Sequence, residues 1–319
     1  MVKNRHPAGQ AVPGIIFAVP ADAPAGLEVI SLAALRARAR VHGTDLGAPQ
    51  RPAFHQVLTL SSGTLRPTVD FTAHDVGRGS WLWTRPGQVL QWGELTRAEG
   101  TLIAFERDFP GEATVRAARL DDPHARVLRV PRAEAATSLR VATAHLEHEF
   151  RTPGRLPREA RDAVLRHLLD VLLLRLAHPE ESGGPAAEPS ETFLRFRAGV
   201  ERDFARTRRV DDYALALGYS ARTLSRAALE SAGVGAKEFI DRRVVLEAKR
   251  LLAHTDLAAA RIADRLGFSS ATNFAKYFHQ RAGQAPIAFR TTVRERGADL
   301  PSARGGGDTT PRHGHPADP

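Results

Sequence analysis

The C-terminal half of the chain repeats one pattern twice. The segments "DDYALALGYSARTLSRAALESAG" (Asp211 to Gly233) and "AARIADRLGFSSATNFAKYFHQRAG" (Ala259 to Gly283) share a short helical stretch, a Gly-aromatic-Ser turn and a longer helical stretch that ends in Ala-Gly. The copies are offset by 49 residues at Gly218 and Gly267 and by 50 residues at their final glycines. A unit this small cannot bury its apolar face alone, so the repeat predicts two similar helical units packed into one domain.

Each copy has the local signals of a helix-turn-helix. Glycine accepts the left-handed conformation that ends a helix, and a serine that follows it can accept a backbone N–H at the start of the next helix. Ala214 and Ala263 are small enough for close packing of helices. Leu224, Phe274 and Phe278 fall where the second helix of each unit should face the core.

The opposite face of each second helix carries polar and basic side chains suited to reading base edges. Arginine can bind guanine through two hydrogen bonds, asparagine can do the same for adenine, and a threonine methyl can contact thymine. For each single residue, an ordinary exposed side chain or a phosphate contact remains an alternative. The predicted DNA-binding residues are Arg222, Ser225 and Arg226 in the first copy and Thr272, Asn273 and Lys276 in the second.

A long helical segment joins the two copies. "AKEFIDRRVVLEAKRLLAHT" (Ala236 to Thr255) is apolar on more than one side, which predicts a rigid connector that packs against both units. Such a connector would fix the spacing between the two reading helices. Units held about 34 Å apart could enter successive major grooves of one duplex without dimerisation.

The net positive charge of the chain is concentrated in the same C-terminal part that contains the repeat. Between Glu191 and Arg296 there are 20 Lys and Arg against 12 Asp and Glu, so this segment carries +8 of the total net charge of +9. A basic domain beside a nearly neutral one suggests that one half binds a polyanion, although a generally basic surface is the plain alternative. The chain has no cysteine, which excludes disulfides, thiolate catalysis and cysteine-ligated metals.

Length and hydropathy predict the number of domains and the location of the protein. A chain of 319 residues with 42% hydrophobic residues predicts two globular domains. It contains no apolar run long enough for a membrane span, and its opening residues are poor material for a secretion signal, so we expect no membrane partner and a cytoplasmic location. The segment 178–190, rich in Pro, Gly, Ser and Glu, predicts a linker, and 297–319 predicts a disordered tail.

The first half of the chain indicates β-structure followed by helices. Short strand-like runs with Gly and Pro-Gly turns between Phe54 and Phe109 predict a sandwich or small barrel of the jelly-roll type. Residues 133–177 then predict two helices that form a dimerisation or connector region. In the second helix an apolar stripe either packs on the β domain or pairs with a second subunit of a homodimer; its members are Leu165, Leu168, Leu169, Leu172, Leu173 and Leu176.

The segment from Thr192 to Arg290 resembles the DNA-binding domain of AraC-type transcription regulators. The resemblance rests on Ala263, "LGFSS", "NFAKYF" and "AGQAPIAFR", at the spacing that the family shows. It implies that residues 191–296 form an all-α domain with two helix-turn-helix units joined by a long helix. It also implies that the six residues named above face bases, and that an activator of this type would contact RNA polymerase.

The segment from Ser61 to Gly93 resembles the cupin-like effector domain found upstream of such DNA-binding units. The resemblance rests on Gly63, Asp70, Gly79 and "RPGQ" at Arg85 to Gln88, and it implies that residues 1–132 form an effector-binding domain. A small barrel has room for one small ligand. The candidate effector contacts are His55, Trp81, Trp83, Gln88 and Trp92, although the tryptophans also suit a barrel core.

The sequence therefore predicts a transcription regulator that binds double-stranded DNA and responds to a small-molecule effector. Enzymatic cupins hold a metal through closely spaced histidines, a glutamate and a later histidine, and this chain lacks that set. We expect no catalytic residues, no metal and no cofactor. A cupin-type metal enzyme fused to a DNA-binding domain and a sequence-indifferent chromosome-binding protein are the two alternatives.

Overall fold

The computed structural model describes residues 24–152, 154–178 and 189–298. It confirms a sheet-rich first region and a helical second region, as the sequence predicts. Most of the predicted linker and nearly all of the predicted tail lie outside the described residues. The exceptions include residues 297 and 298, which belong to the last helix and not to a tail.

Within the described residues of the first region, eight strands form two antiparallel sheets. The strands are β1 (Leu27–Ser31), β2 (His55–Ser62), β3 (Thr68–Val69), β4 (Thr72–Ala73), β5 (Trp81–Thr84), β6 (Leu90–Gln91), β7 (Glu99–Phe105) and β8 (Leu128–Arg129). The larger sheet has the order β1-β7-β2-β5-β8, and the smaller one has the order β4-β3-β6. Two helices that the sequence analysis missed accompany them, α1 (Leu32–Val41) and α2 (Glu112–Ala117).

Alternate residues of the larger sheet face two separate apolar cores, as the two-residue period of a strand requires. One face packs against the smaller sheet, where Leu58, Leu82 and Leu102 meet Leu90 and Trp92. The other face, which includes Val57, Trp81, Trp83 and Phe105, packs against helices. The sheets thus enclose a core that is filled by side chains, and a second layer of helices covers the outside.

The helices of that second layer are α3 (Ala133–Arg151) and α4 (Arg158–Ala177), close to the predicted bounds. The structure answers the question that the leucine stripe left open. Leu165, Leu169, Leu172, Leu173 and Leu176 are fully buried against this chain's own sheet and α3, and Leu168 is partly buried beside them. The stripe is therefore not an exposed dimerisation surface, because the chain itself already covers these side chains.

Seven helices make up residues 189–298, the described part of the second region. They are α5 (Glu191–Asp203), α6 (Val210–Leu217), α7 (Ala221–Ala232), α8 (Ala236–His254), α9 (Ala259–Arg265), α10 (Ala271–Ala282) and α11 (Pro286–Ala298). One apolar cluster runs through all of them and includes Phe196 from α5, Leu224 from α7, Ile240 from α8, and Phe274 and Phe278 from α10. Both units therefore share a single core whose centre is the connecting helix.

Neither a membrane-spanning helix nor a cluster of metal-binding side chains is found within residues 24–152, 154–178 and 189–298. No helix in this part of the chain is long and apolar enough to cross a membrane. Among the same residues, no group of three or more His, Asp or Glu side chains lies close enough together to hold a metal ion.

Candidate nucleic-acid interface

The first helix-turn-helix unit consists of α6 and α7. Gly218 ends α6 in the left-handed conformation with φ 72°, as the sequence predicts. Ser220 then caps α7, because its side chain accepts the backbone N–H of Thr223 at 3.0 Å. Leu224 is fully buried on the inner face of α7, while Arg222 and Arg226 are exposed and Ser225 is half-buried on the outer face.

The second unit repeats this arrangement in α9 and α10. Gly267 has φ 69° and lies one residue beyond Leu266, which caps α9. Ser270 caps α10 by accepting the N–H of Asn273 at 3.1 Å. The inner face of α10 carries Phe274 and Phe278, and both are fully buried.

The predicted reading residues of the second unit, Thr272, Asn273 and Lys276, are all exposed on α10. The Asn273 amide already donates a hydrogen bond to the Ser269 hydroxyl at 2.8 Å, so it would have to turn outward to reach a base. Arg226 and Lys276 occupy the same position in the two units, six residues after the capping serine. The structure thus places three of the six predicted residues on α7 and the other three on α10.

Asp241, a residue that sequence reasoning missed, fixes α10 to the connecting helix. Its buried carboxylate accepts hydrogen bonds from the Tyr277 hydroxyl at 2.7 Å and from Arg281 at 2.6 Å, and it also pairs with Lys237. Burial alone would raise the pKa of Asp241, but these hydrogen bonds outweigh burial and lower it. The carboxylate therefore stays ionised and ties α10 to α8.

Arg208, in the loop between α5 and α6, joins the first unit directly to the second. Its guanidinium donates to the carbonyl oxygens of Leu266 at 2.8 Å and Gly267 at 3.0 Å, which lie at the C-terminal end of α9. The same guanidinium stacks 4.0 Å above the Phe268 ring. No local sequence signal marks this contact, because its partners lie 58 and 59 residues away in the sequence.

The sheet region docks on the helical domain through the hairpin between β3 and β4. The two tip residues, Asp70 and Phe71, both have positive φ, at 49° and 68°. Asp70 accepts two hydrogen bonds from Arg250 of α8, while Phe71 packs edge-on against Phe289 of α11 with 5.3 Å between ring centroids. Such a backbone costs about 1–3 kcal/mol per residue, and the surrounding contacts must hold it in place.

Further ion pairs extend this contact along α5 and α8. From the sheet region, Arg51 pairs with Glu247 at 2.7 Å and Asp122 pairs with Arg197 at 2.9 Å. Burial alone would raise the pKa of Glu247, but Arg51, Arg243 and Arg250 outweigh it and lower the pKa. The sheet region therefore contacts α5, which precedes the first unit, the connector α8, and α11, which follows the second unit.

The five predicted effector contacts do not line one cavity. Trp92 lies in the core between the two sheets, whereas Trp81 and Trp83 lie on the opposite face of the larger sheet beneath the helices. His55 is buried on that same outer face, stacked 4.9 Å from the Phe105 ring. Gln88 bridges the backbone N–H of Arg85 and the carboxylate of Asp70.

Comparison with known families identifies the helical domain. Residues 213–292 match the family model described as "Helix-turn-helix domain". This part of the chain is therefore similar to helix-turn-helix domains. The matched residues include α7 through α10, so they take in both reading helices and the connector between them.

Curated relatives resemble a limited part of the chain. The regulatory protein PocR of Salmonella typhimurium is 32% identical over 87 residues, which are 27% of this chain and 29% of that protein. The HTH-type transcriptional activator RhaS of Shigella boydii is 30% identical over 131 residues, covering 41% of this chain and 45% of that protein. The chain thus spans less than half the length of these curated relatives.

Solved structures give weaker similarity. ToxT from Vibrio cholerae aligns over 76% of this chain and 90% of that chain, with 13% identity and a TM-score of 0.37. The DNA-binding domain of AdpA in complex with a target DNA aligns over 34% of this chain and 99% of that chain, with 25% identity and a TM-score of 0.32.

Proposed function

We propose that this protein is an AraC-type transcription regulator that binds specific sites in double-stranded DNA and responds to a small-molecule effector. The observation that carries the proposal is the pair of capped reading helices, α7 and α10, which expose Arg226 and Lys276 at matched positions on one shared core. The net charge of +8 between residues 191 and 296 would draw this domain to the phosphate backbone.

The two reading faces favour sequence-specific binding over the sequence-indifferent alternative. Phosphate contacts need only positive charge, which arginine and lysine can supply anywhere on a surface. Here asparagine, threonine and serine stand beside the cations on the faces opposite the buried Leu224 and Phe274. These residue types form hydrogen bonds or methyl contacts with base edges, so the faces suit base readout.

The hairpin contact supports a route by which effector binding in the sheet region would change the position of the connector in the DNA-binding domain. Gln88 donates to Asp70 at 2.9 Å, and Asp70 in turn holds Arg250 of the connector. Next to Gln88, the Arg85 guanidinium stacks 4.6 Å from the ring centroid of Trp83. An effector that moves Trp83 or Arg85 would shift Gln88 and Asp70, and hence the contact with the connector.

The outer face of the larger sheet suits the polar end of such an effector. Within the part of the chain that the structure describes, four buried side-chain nitrogens there have no hydrogen-bond partner: His55 Nδ1, Trp81 Nε1, Trp83 Nε1 and Arg85 Nε. Burial and the nearby Arg85 lower the pKa of His55 to about 4, so its ring is neutral at pH 7. A ligand that offers hydrogen-bond acceptors would satisfy these groups, since unpaired buried donors are costly.

Selection from genomic DNA tests the proposal. Purified protein is incubated with sheared DNA from its own genome at near-physiological salt, and the bound fragments are sequenced. We expect a few enriched sites, each with two half-elements about one turn of DNA apart. Diffuse recovery that disappears with modest added salt would instead show phosphate-driven binding and would contradict the proposal.

Three further statements remain predictions from the sequence. They are a homodimer, a contact with RNA polymerase if the protein is an activator, and a cytoplasmic location. Because the leucines of α4 are buried within the chain, a dimer would have to form through other residues. A sedimentation measurement that shows only monomer at working concentrations would remove the dimer prediction.

A further inference from the structure

We infer that Arg208 is a positioning residue that sets the spacing between the two DNA-reading helices. It would do so by bracing the turn of the second helix-turn-helix unit against the first unit. The inference rests on the proposed function, since spacing matters only if both α7 and α10 read one duplex.

The brace acts at the turn between α9 and α10. The carbonyl groups of Leu266 and Gly267 lie at the end of α9, where a helix leaves carbonyls unsatisfied and carries partial negative charge. The planar guanidinium of Arg208 meets both oxygens at once and stacks on Phe268 in the same turn. Ser270, which caps α10, follows Gly267 by only three residues. Holding the turn in place therefore also holds the first residues of the reading helix in place.

Close backbone contact at Gly267 supports the same conclusion independently. A Cβ atom at Gly267 would lie 2.1 Å from the carbonyl oxygen of Ala205, in the loop that carries Arg208. At the equivalent glycine of the first unit, Gly218, a Cβ would meet no atom of the described residues within 4 Å. Both glycines are left-handed, but only the second is pressed against another part of the chain.

The brace and the connector together hold the second unit at two points. Asp241 binds the middle of α10 to α8 through Tyr277, and Arg208 binds the preceding turn to the first unit. A body fixed at two points resists rotation about the axis of α8, which a single connecting helix would permit. The two units should therefore present their reading faces at one spacing and one relative angle.

A spacing series measures this directly. One base pair inserted between two half-elements shifts the second by about 3.4 Å and rotates it by about 34°. The probe is a duplex that the wild-type full-length protein enriches, prepared with the native spacing and with one inserted base pair. The spacing penalty is the ratio of Kd for the inserted duplex to Kd for the native duplex.

The variants are Arg208→Met and, as the matched control, Arg209→Met. Arg209 belongs to the same loop, and its side chain is 76% exposed and lies 4.0 Å from Asp211 of its own unit, so its loss removes the same charge. We expect a penalty of about 100-fold for wild type and Arg209→Met, and of about tenfold for Arg208→Met. The spacing penalty of Arg208→Met should fall because this variant binds the duplex with native spacing more weakly.

A second, milder variant keeps the test possible if Arg208→Met does not fold. Arg208→Lys keeps the charge but loses the fork that reaches two carbonyls, so its penalty should also fall. Circular dichroism melting confirms that each variant is folded. If Arg208→Met does not fold, Arg208→Lys carries the test alone.

The outcomes separate this inference from the proposed function. An unchanged penalty in the folded Arg208 variants, or an equal fall in Arg209→Met, overturns the brace but leaves sequence-specific binding in place. If the wild-type protein enriches no sequence, the proposed function fails, and the brace loses its role in DNA reading with it.

Discussion

Asp70 and Arg250, 180 residues apart in the sequence, form a two-point ion pair between the sheet region and the connecting helix. The guanidinium Nε and Nη2 atoms donate to the two carboxylate oxygens at 2.8 and 2.7 Å, and both side chains are largely buried. Asp70 also accepts hydrogen bonds from the side chain of Gln88 and from the backbone N–H of Val89. One carboxylate therefore links the sheet region to the helix that joins the two reading units.

Replacing Asp70 with asparagine should destabilise the protein by about 2 kcal/mol, because the buried Arg250 loses its two-point partner and keeps only Glu247, at 3.5 Å. Asparagine tolerates the positive φ of this position, so the loss would reflect the ion pair and not the turn. Urea unfolding followed by tryptophan emission measures the free energy of unfolding. The control is Asp75→Asn, whose partner Arg66 is exposed and which should cost no more than about 0.5 kcal/mol. Equal losses in the two variants would contradict the importance of the buried pair.

The two turn glycines should differ sharply when changed to alanine. Gly218→Ala should cost about 1–2 kcal/mol, the ordinary penalty for a left-handed alanine. Gly267→Ala should cost clearly more, because the new methyl group would also overlap the Ala205 carbonyl and force the brace apart. Thermal unfolding followed by circular dichroism compares the two. Similar losses for both variants would show that the second turn can move away from the first unit.

Local signals explain why the helical domain could be predicted from sequence in detail. Gly218 and Ser220 act on neighbouring backbone groups, and the apolar positions of α7, α8 and α10 follow the helical period, so each signal lies within one short segment. The exposed positions of Arg226 and Lys276 followed from the same period. The predicted connector, Ala236 to Thr255, differs from α8 by one residue.

Contacts between distant segments left no such signal. Arg208 lies 58 residues from Leu266, and Asp70 lies 180 residues from Arg250, so neither pair forms a spacing pattern. The division of the three tryptophans between two cores left no sequence signal for a related reason. Residues on adjacent strands can face either core, and only the pairing of the strands shows that Trp92 and Trp83 face different ones.

Arg226→Ala should weaken binding to an enriched duplex by about 1–3 kcal/mol and relax the preference at one base position. The matched control is Arg261→Ala on α9, because each arginine side chain is 75% exposed and has an acidic side chain nearby on its own helix. Measuring Kd for duplexes that differ at single base positions distinguishes a relaxed base preference from a general loss of affinity. A loss of the same size on every sequence would show that Arg226 contacts phosphate and not a base.

His55 should make stability depend on pH between about 6.5 and 4. Its folded-state pKa of about 4 lies below the ordinary value of 6.5, first because of burial and then because of Arg85 and Arg107, with Asp121 opposing them. The unfolded chain therefore binds a proton that the folded chain excludes, and stability falls as pH drops through this range. Between pH 7 and pH 5, His55 should account for about 2 kcal/mol of that loss. Urea unfolding of His55→Leu should show a correspondingly smaller fall, and an unchanged pH dependence would contradict the assignment.

The most direct test of sequence-specific DNA binding is an equilibrium competition at near-physiological salt. A labelled duplex that the wild-type protein enriches from its genome competes with a duplex of the same length and composition in shuffled order. We predict that the enriched duplex binds at least about 1,000-fold more tightly, the ordinary lower bound for a specific regulator. Equal affinity for the two duplexes, with the same dependence on salt, would show binding to the phosphate backbone alone and would contradict the account.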